Sequence, residues 1–455
     1  MLFNSLTFVF FHLIFVGLYW STKNNTLRKL LIGVSSLVFY GWFYWPGLLL
    51  LLGTMVVNYT FARRIESSGK KIFLTIAVSL NLLSLGFFKY SSFFIENLIL
   101  FFDVFGLELS KPEWSYWLPL GISFYTFQAI SYLVDVYRKK VPAEKNILNF
   151  LVFKAFYAQL VAGPIVRAEE LLPQIHVKQK FRASDFQLGI YYVLAGLLIK
   201  IVIADTLGQF VDFGFTDPTQ LNIENAWMTI YAFSVQILCD FWGYSTIALG
   251  IGYMYGYKLP LNFDNPYIAD SVTDFWRRWH LTLSHWLRDY LYFPLGGGRN
   301  KKYRNLMITM VLAGLWHGAS WNFVIYGFGH GTWVVIERLC MDKKKTLKLP
   351  RLLKQFVVFQ ALSLLRVFFR SPDFSTSMTY FKSLFGFFES DRNIPEALAV
   401  QLLFFILFMV FFEKSTKDRS FLAWTLKKQV IVSVGFMALI LSFASNKLDF
   451  IYFVF

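Results

Sequence analysis

Trp316-His317-Gly318 sits inside a run, 306–322, that is apolar almost throughout. An imidazole at bilayer depth is costly, so a histidine there marks a functional site by default. Histidine titrates near neutral pH, which suits it to take a proton as a general base. The same ring could instead hydrogen-bond neighbouring helices, and the motif alone leaves both readings open.

A second dense stretch runs over 265–300. At helical spacing, Trp276, His280, Leu283 and Leu287 share one face, and Arg277, Ser284 and Arg288 form an adjacent stripe. That spacing predicts one amphipathic helix with a cationic edge at the cytoplasmic interface. Anchoring by Trp and Arg explains it. So does a site for an anionic ligand with a ring system, because Arg grips phosphate bidentately and Trp offers a stacking face. On the residues alone, anchoring is favoured. The Gly296-Gly297-Gly298 segment after it lacks the spacing of a phosphate-binding loop and reads as a turn.

Polar side chains recur inside apolar runs: Gln128, Asp135, Gln159, Gln236, Asp240, Asn322 and His330. Such groups face a bundle interior or a wet cavity. His330 reads as structural, and His12, His176 and His285 have no context that raises them. Cys239 and Cys340 suggest neither a disulfide framework nor a metal site. The last residues, 447–455, are strongly aromatic and carry one phenol, Tyr452. They read either as an interfacial aromatic belt or as a docking tail. An extended chain advances at most about 3.3–3.6 Å per residue, so such a tail reaches only part of the way into a bilayer unless its funnel is deep or the last helix sits low.

The elements that must position these residues are membrane spans. The 455 residues are 56% hydrophobic and only 16% charged, against roughly 25% charged for soluble domains. The net charge of +16 gathers in short loops, which argues for cytoplasmic loops and against nucleic-acid binding. Spans are expected near 3–20, 30–45, 47–62, 72–90, 116–137, 186–203, 226–250, 306–322, 323–340, 355–370, 398–412 and 429–446. The first is read as a retained span, because no basic n-region or cleavage site accompanies it. Loops 21–29, 62–71, 138–145, 341–354 and 413–428 are net basic, whereas 103–115, 204–225 and 371–397 are net acidic. Their alternation places both termini outside. Residues 147–166 end at Gly163-Pro164 and read as re-entrant; 91–102 are too short to span and read as interfacial. The fold class is all-α, a polytopic integral membrane protein of about eleven to thirteen transmembrane helices plus re-entrant segments.

Five pieces in order, 118–132, 159–167, 274–284, 286–294 and 314–322, together with both ends, resemble the membrane-bound O-acyltransferase family. The resemblance is to its bacterial branch of alginate- and peptidoglycan-type polysaccharide O-acetyltransferases. It implies a single transmembrane domain over 1–455, with N-terminal helices to about 137, a catalytic core over 138–340, C-terminal helices over 341–446 and an extracytoplasmic tail over 447–455. It implies a central channel, His317 as catalytic residue and His280 as a second important one. Trp276, Arg277, Arg278 and Trp316 are then expected on the donor side, and Tyr452 as acyl carrier or partner dock. The implied donor is acetyl-CoA from the cytoplasm, with no bound cofactor and no metal. The implied acceptor is an envelope or exported polysaccharide of peptidoglycan, alginate or cellulose type. It is reached through a separate extracytoplasmic SGNH/GDSL-like transferase, since no such domain is read in these residues. The implied location is the bacterial inner membrane, in contact with its lipid. Two alternatives remain: D-alanyl export for teichoic acid by a related member, and a transporter without acyl chemistry, against which stands the lack of an internal repeat.

Overall fold

The computed structural model describes residues 1–42, 44–110, 117–343, 349–389, 402, 405, 420–443 and 450–451, and among them every regular element is helical. Tyr452 and, apart from Leu402 and Phe405, the expected span at 398–412 lie outside the described residues. Among the described residues, four helical runs are long and apolar enough to cross a bilayer: Trp45–Ser68, Lys71–Asp103, Ala183–Thr216 and Arg351–Arg370. The chain divides into two compact units, one of 1–181 with 255–259, the other of 182–254 with 260–455.

The first unit holds α1 (Leu6–Ser21), α2 (Asn25–Gly41), α3 (Trp45–Ser68), α4 (Lys71–Leu85), α5 (Ser91–Asp103), α6 (Ile122–Tyr137), α7 (Ile147–Ala155), α8 (Tyr157–Leu160) and α9 (Ala168–His176). Ser5 and Asn24 cap α1 and α2 through their side-chain oxygens, which satisfies amide groups that a helix start leaves open. A π turn at Gly86–Tyr90 joins α4 to α5 in one run of 33 residues. Residues 91–102 therefore continue the preceding helical run instead of standing as a separate segment, and no proline interrupts 71–103. The 147–166 stretch breaks at Phe156, between α7 and α8, and turns again at 161–163, with all of 152–166 buried. The side-chain amides of Gln128 and Gln159 both donate to the Phe153 carbonyl at that break. Buried glutamines here replace the backbone partners that the broken helix loses.

The second unit holds α10 (Ala183–Leu198), α11 (Asp205–Thr216), α12 (Ile223–Tyr255), α13 (Val272–Trp276), α14 (Leu281–Leu287), α15 (Lys302–His317), α16 (Trp321–Asp342), α17 (Arg351–Arg370), α18 (Phe374–Leu384), α19 (Ser420–Ala423) and α20 (Leu426–Ser442). A π turn at Ile199–Ala204 links α10 and α11 into a helical run that ends at Thr216, well past the expected boundary at 203. The expected loop acid Asp205 is accordingly buried and paired with Lys200 at 2.6 Å. Glycines set how closely these helices pack. A Cβ on Gly196 would stand 2.6 Å from the Gly243 carbonyl oxygen, and one on Gly250 would stand 2.6 Å from that of Gly189. The α10 and α12 backbones thus meet through small residues, as membrane helices commonly do. The same device joins α15 to α16: a Cβ on Gly314 would lie 2.2 Å from the Phe323 carbonyl oxygen, and one on Gly327 would lie 2.4 Å from that of Met310.

The expected single helix over 276–288 is not formed. It breaks after Trp276, and α14 starts at Leu281 with His280 in the left-handed region, φ 42°. Local 3₁₀-type bonds from Arg277 N to the Asp274 carbonyl and from Arg278 N to the Phe275 carbonyl close α13. Asn262 then captures the chain: its carbonyl accepts from Leu281 N at 2.8 Å and its side chain accepts from Thr282 Oγ1 at 2.7 Å. These tertiary bonds override the helical periodicity, and Trp276 and His280 do not share one helical face.

Candidate active site

All the described candidate residues belong to the second unit. His317 is the last residue of α15 and is 3% exposed. Gly318 after it is extended, and a Cβ there would come within 2.1 Å of the Phe323 ring. The glycine of the Trp-His-Gly motif is therefore a packing requirement that lets α16 close over the histidine. Rings surround His317: Phe369 at 5.1 Å and Tyr326 at 5.9 Å between centroids, both edge-on, with Phe323 stacked at 6.4 Å.

His280 reaches the same place from a different element. It is fully buried, with Phe241 of α12 edge-on at 4.6 Å and Trp316 at 5.7 Å. Trp316 in turn lies 5.0 Å from His317. One indole thus contacts two buried imidazoles that are 37 positions apart in sequence. The left-handed backbone at His280 turns the chain there, and the Asn262 clasp, itself tied to Ser245 of α12 at 3.0 Å, holds that turn.

Trp276 is half-buried and faces His330, with its Nε1 donating to His330 Nδ1 at 3.3 Å. Its helix is pinned to α16 by Glu337, whose carboxylate accepts from Val272 N at 2.7 Å and Thr273 N at 2.9 Å. His330, read as structural from the sequence, is buried and lies 4.5 Å from Tyr326, the ring that also borders His317. Trp276, His330, Tyr326 and His317 therefore form one contiguous aromatic path. Arg277 is exposed in the turn after α13, while Arg278 pairs with Asp274 at 2.9 Å and reaches the Asp264 carbonyl. Arg288 pairs with Asp289, so the expected cationic stripe of Arg277, Ser284 and Arg288 is dispersed by the break at His280.

Sequence reasoning missed Arg366. It is a buried guanidinium on α17, lying over Tyr267 at 4.9 Å, Trp279 at 5.7 Å and Phe275 at 6.0 Å. No carboxylate pairs with it among the described residues. A desolvated cation held by aromatic faces is a recognised arrangement, and a lone arginine in the middle of an apolar run was the signal that could have found it. Asp240, noted as an embedded acid, belongs to a cluster with Lys200 at 2.6 Å, and its other oxygen accepts from Ile451 N at 2.7 Å. Phe450 is buried, stacked on Tyr244 at 4.7 Å and edge-on to Phe241 at 5.9 Å. Phe450 thus meets the ring that touches His280; Tyr452, on which the expected reach turns, lies outside the described residues.

Chemically, the site places two imidazoles in dry aromatic walls. Such a setting excludes bulk water, whose attack on an activated acyl group would waste it. The sequence model of the membrane-bound O-acyltransferase (MBOAT) family matches residues 132–372. The chain is 38% identical over 422 residues to the probable alginate O-acetylase AlgI of Azotobacter vinelandii, covering 90% of this chain and 83% of that protein. It is 37% identical over 426 residues to the peptidoglycan O-acetyltransferase of Helicobacter pylori, covering 85% and 80%. The teichoic acid D-alanyltransferase of Streptococcus thermophilus is 31% identical over 254 residues, 51% of this chain.

Proposed function

The chain belongs to the membrane-bound O-acyltransferase family and is a multi-pass membrane O-acetyltransferase, and from that premise we propose that it takes acetyl from cytoplasmic acetyl-CoA and delivers it outside for O-acetylation of an envelope or exported polysaccharide. The proposed setting is the bacterial inner membrane, with about twelve spans around a channel. The observation that carries the reading is the convergence of His280 and His317 on the one indole of Trp316.

A hydroxyl attacks the thioester carbonyl carbon, and His317 accepts the hydroxyl proton as the C–O bond forms. The tetrahedral intermediate then expels the thiolate, the C–S bond breaks, and the imidazolium returns the proton to sulfur. His280 shares this pocket and orients the reacting groups through the ring between them. Trp276, Arg277 and Arg278 form the donor side, where a guanidinium suits phosphate groups. Trp316 closes the pocket. Tyr452 supplies the hydroxyl and holds acetyl as a phenyl ester for an extracytoplasmic SGNH/GDSL-like partner; the burial of Phe450 beside Phe241 supports a tail at the site.

The test is incubation of the purified chain in vesicles with acetyl-labelled acetyl-CoA, followed by mass spectrometry of the tail peptide. An acetyl ester on Tyr452 that requires His317 supports the reading. Wild-type transfer to the outer acceptor by Tyr452→Phe removes the carrier role, and label that crosses without thioester cleavage removes the enzyme mechanism.

A further inference from the structure

Lys200, Asp205 and Asp240 form a cluster that the reaction above does not use. All three are buried, and two carboxylates face one ammonium, each at 2.6 Å. Asp240 divides its oxygens: Oδ1 meets Lys200 and Oδ2 accepts from the backbone N–H of Ile451 at 2.7 Å. Without that amide, a carboxylate oxygen in the interior would lose its donor, and leaving a buried charged group unsatisfied is costly. Rings reinforce the contact, because α12 presents Phe241 and Tyr244 just after Asp240 and Phe450 lodges against both. A membrane-interface belt would leave this ring facing lipid, whereas Phe450 is 2% exposed.

We propose that the Lys200–Asp205–Asp240 cluster, with Phe241 and Tyr244, is a docking site for the segment that starts at Phe450, and that Asp240 is a positioning residue for acyl hand-over. The segment's backbone N–H is the recognised group, and Asp240 Oδ2 is the acceptor that recognises it. Phe241 touches both His280 and Phe450, so seating the segment also fixes a ring that borders the histidine. The docking stands on geometry alone; its consequence for transfer rests on the carrier role proposed for Tyr452, the next residue in sequence.

The experiment is hydrogen exchange on the full chain in vesicles, read at the Ile451 amide in a peptic fragment spanning 444–455, alongside acetyl transfer kinetics. In Asp240→Ala, protection of that amide should fall about tenfold or more, as expected for losing a hydrogen bond to a charged group. The kcat should fall with it, while the donor KM changes less than about twofold. Asp240→Asn keeps a carbonyl acceptor and should recover part of the protection. If Asp240→Ala does not fold, Phe450→Ala leaves the cluster intact and should expose the same amide. Unchanged protection in both Asp240→Ala and Phe450→Ala, or in Phe450→Ala where it alone folds, overturns the docking site. Lost protection with intact transfer keeps the docking site and overturns Asp240 as a positioning residue, while the carrier role is read separately from Tyr452→Phe. Lost transfer with intact protection overturns the docking and leaves the carrier role standing.

Discussion

Replacing Gly314 by alanine should disable the enzyme without touching any side chain of the site. The added Cβ would stand 2.2 Å from the Phe323 carbonyl oxygen and 2.8 Å from the backbone of Gly327. Both are backbone groups, so no side-chain rotation relieves the clash, and α15 and α16 must separate by roughly 1 Å to restore van der Waals contact. Overpacking of this kind costs about 1–3 kcal/mol of stability. His317 is three residues further along α15, one turn away, and moves with it. A displacement of about 1 Å at a reacting group can lower the rate about 10²-fold. The assay is acetyl-CoA turnover in vesicles together with thermal unfolding. The expected result is a lowered midpoint and a kcat near 1% of wild type, with donor KM little changed. Gly53→Ala is the control, since a Cβ there meets nothing within 4 Å, and it should leave both quantities unaltered. Wild-type kcat in a folded Gly314→Ala chain would refute the link between helix contact and catalytic geometry.

His317→Ala should lower acetyl transfer by about 10²–10⁴-fold, the usual worth of general-base catalysis, while insertion and fluorescence-detected elution stay normal; near wild-type transfer would exclude it as the base. Arg277→Gln and Arg278→Gln should raise the donor Kd more than they slow the bound complex, and an unchanged Kd in both would reduce this turn to membrane anchoring. Burial raises the Glu144 carboxyl, but hydrogen bonds from Asn146 N, His176 and Asn149 outweigh it and hold the group below the ordinary carboxylate range. Its folded pKa is depressed, so its stabilisation is present above the unfolded carboxyl pKa of about 4.3 and is lost as pH falls through the folded value. Glu144→Gln should flatten the loss of thermal stability below about pH 5, and a slope identical to wild type would exclude this group as a contributor.

The helical class was legible because it rests on long apolar runs, and so was the burial of His317, an ionisable ring set within one of them. The break at His280 was not legible. Its cause is Asn262, which is distant enough in sequence that periodicity over 276–288 cannot register it. The continuity of α4 with α5, and of α10 with α11, was hidden for a related reason. π turns at Gly86–Tyr90 and Ile199–Ala204 let a helix run on through places where span length suggests a stop. Asp205 misled in another way, because an acid beside other acids reads as loop surface, and only its partner Lys200 explains its burial. Arg366 was overlooked because its neighbours Tyr267, Phe275 and Trp279 come from a segment about 90 positions earlier.

The division of labour among residue types follows from what lipid lacks. Water drives helices together through apolar burial, but lipid tails are as apolar as leucine, so helix contact here depends on close fit and on polar bonds. Glycines 196, 243, 314 and 327 supply the fit by bringing backbones into contact. Asn262, Glu337 and Asn322 supply the bonds, each tying a helix end to a neighbouring element. The histidines are placed by the helices that these constraints pack. They stand at the points where such constraints end, one on the last turn of α15 and one on a left-handed residue before α14. A side chain at such a junction escapes the i→i−4 ladder and can be aimed by its neighbours, while the packed helices behind it keep it from drifting. This is why the glycine substitution should be felt in kcat.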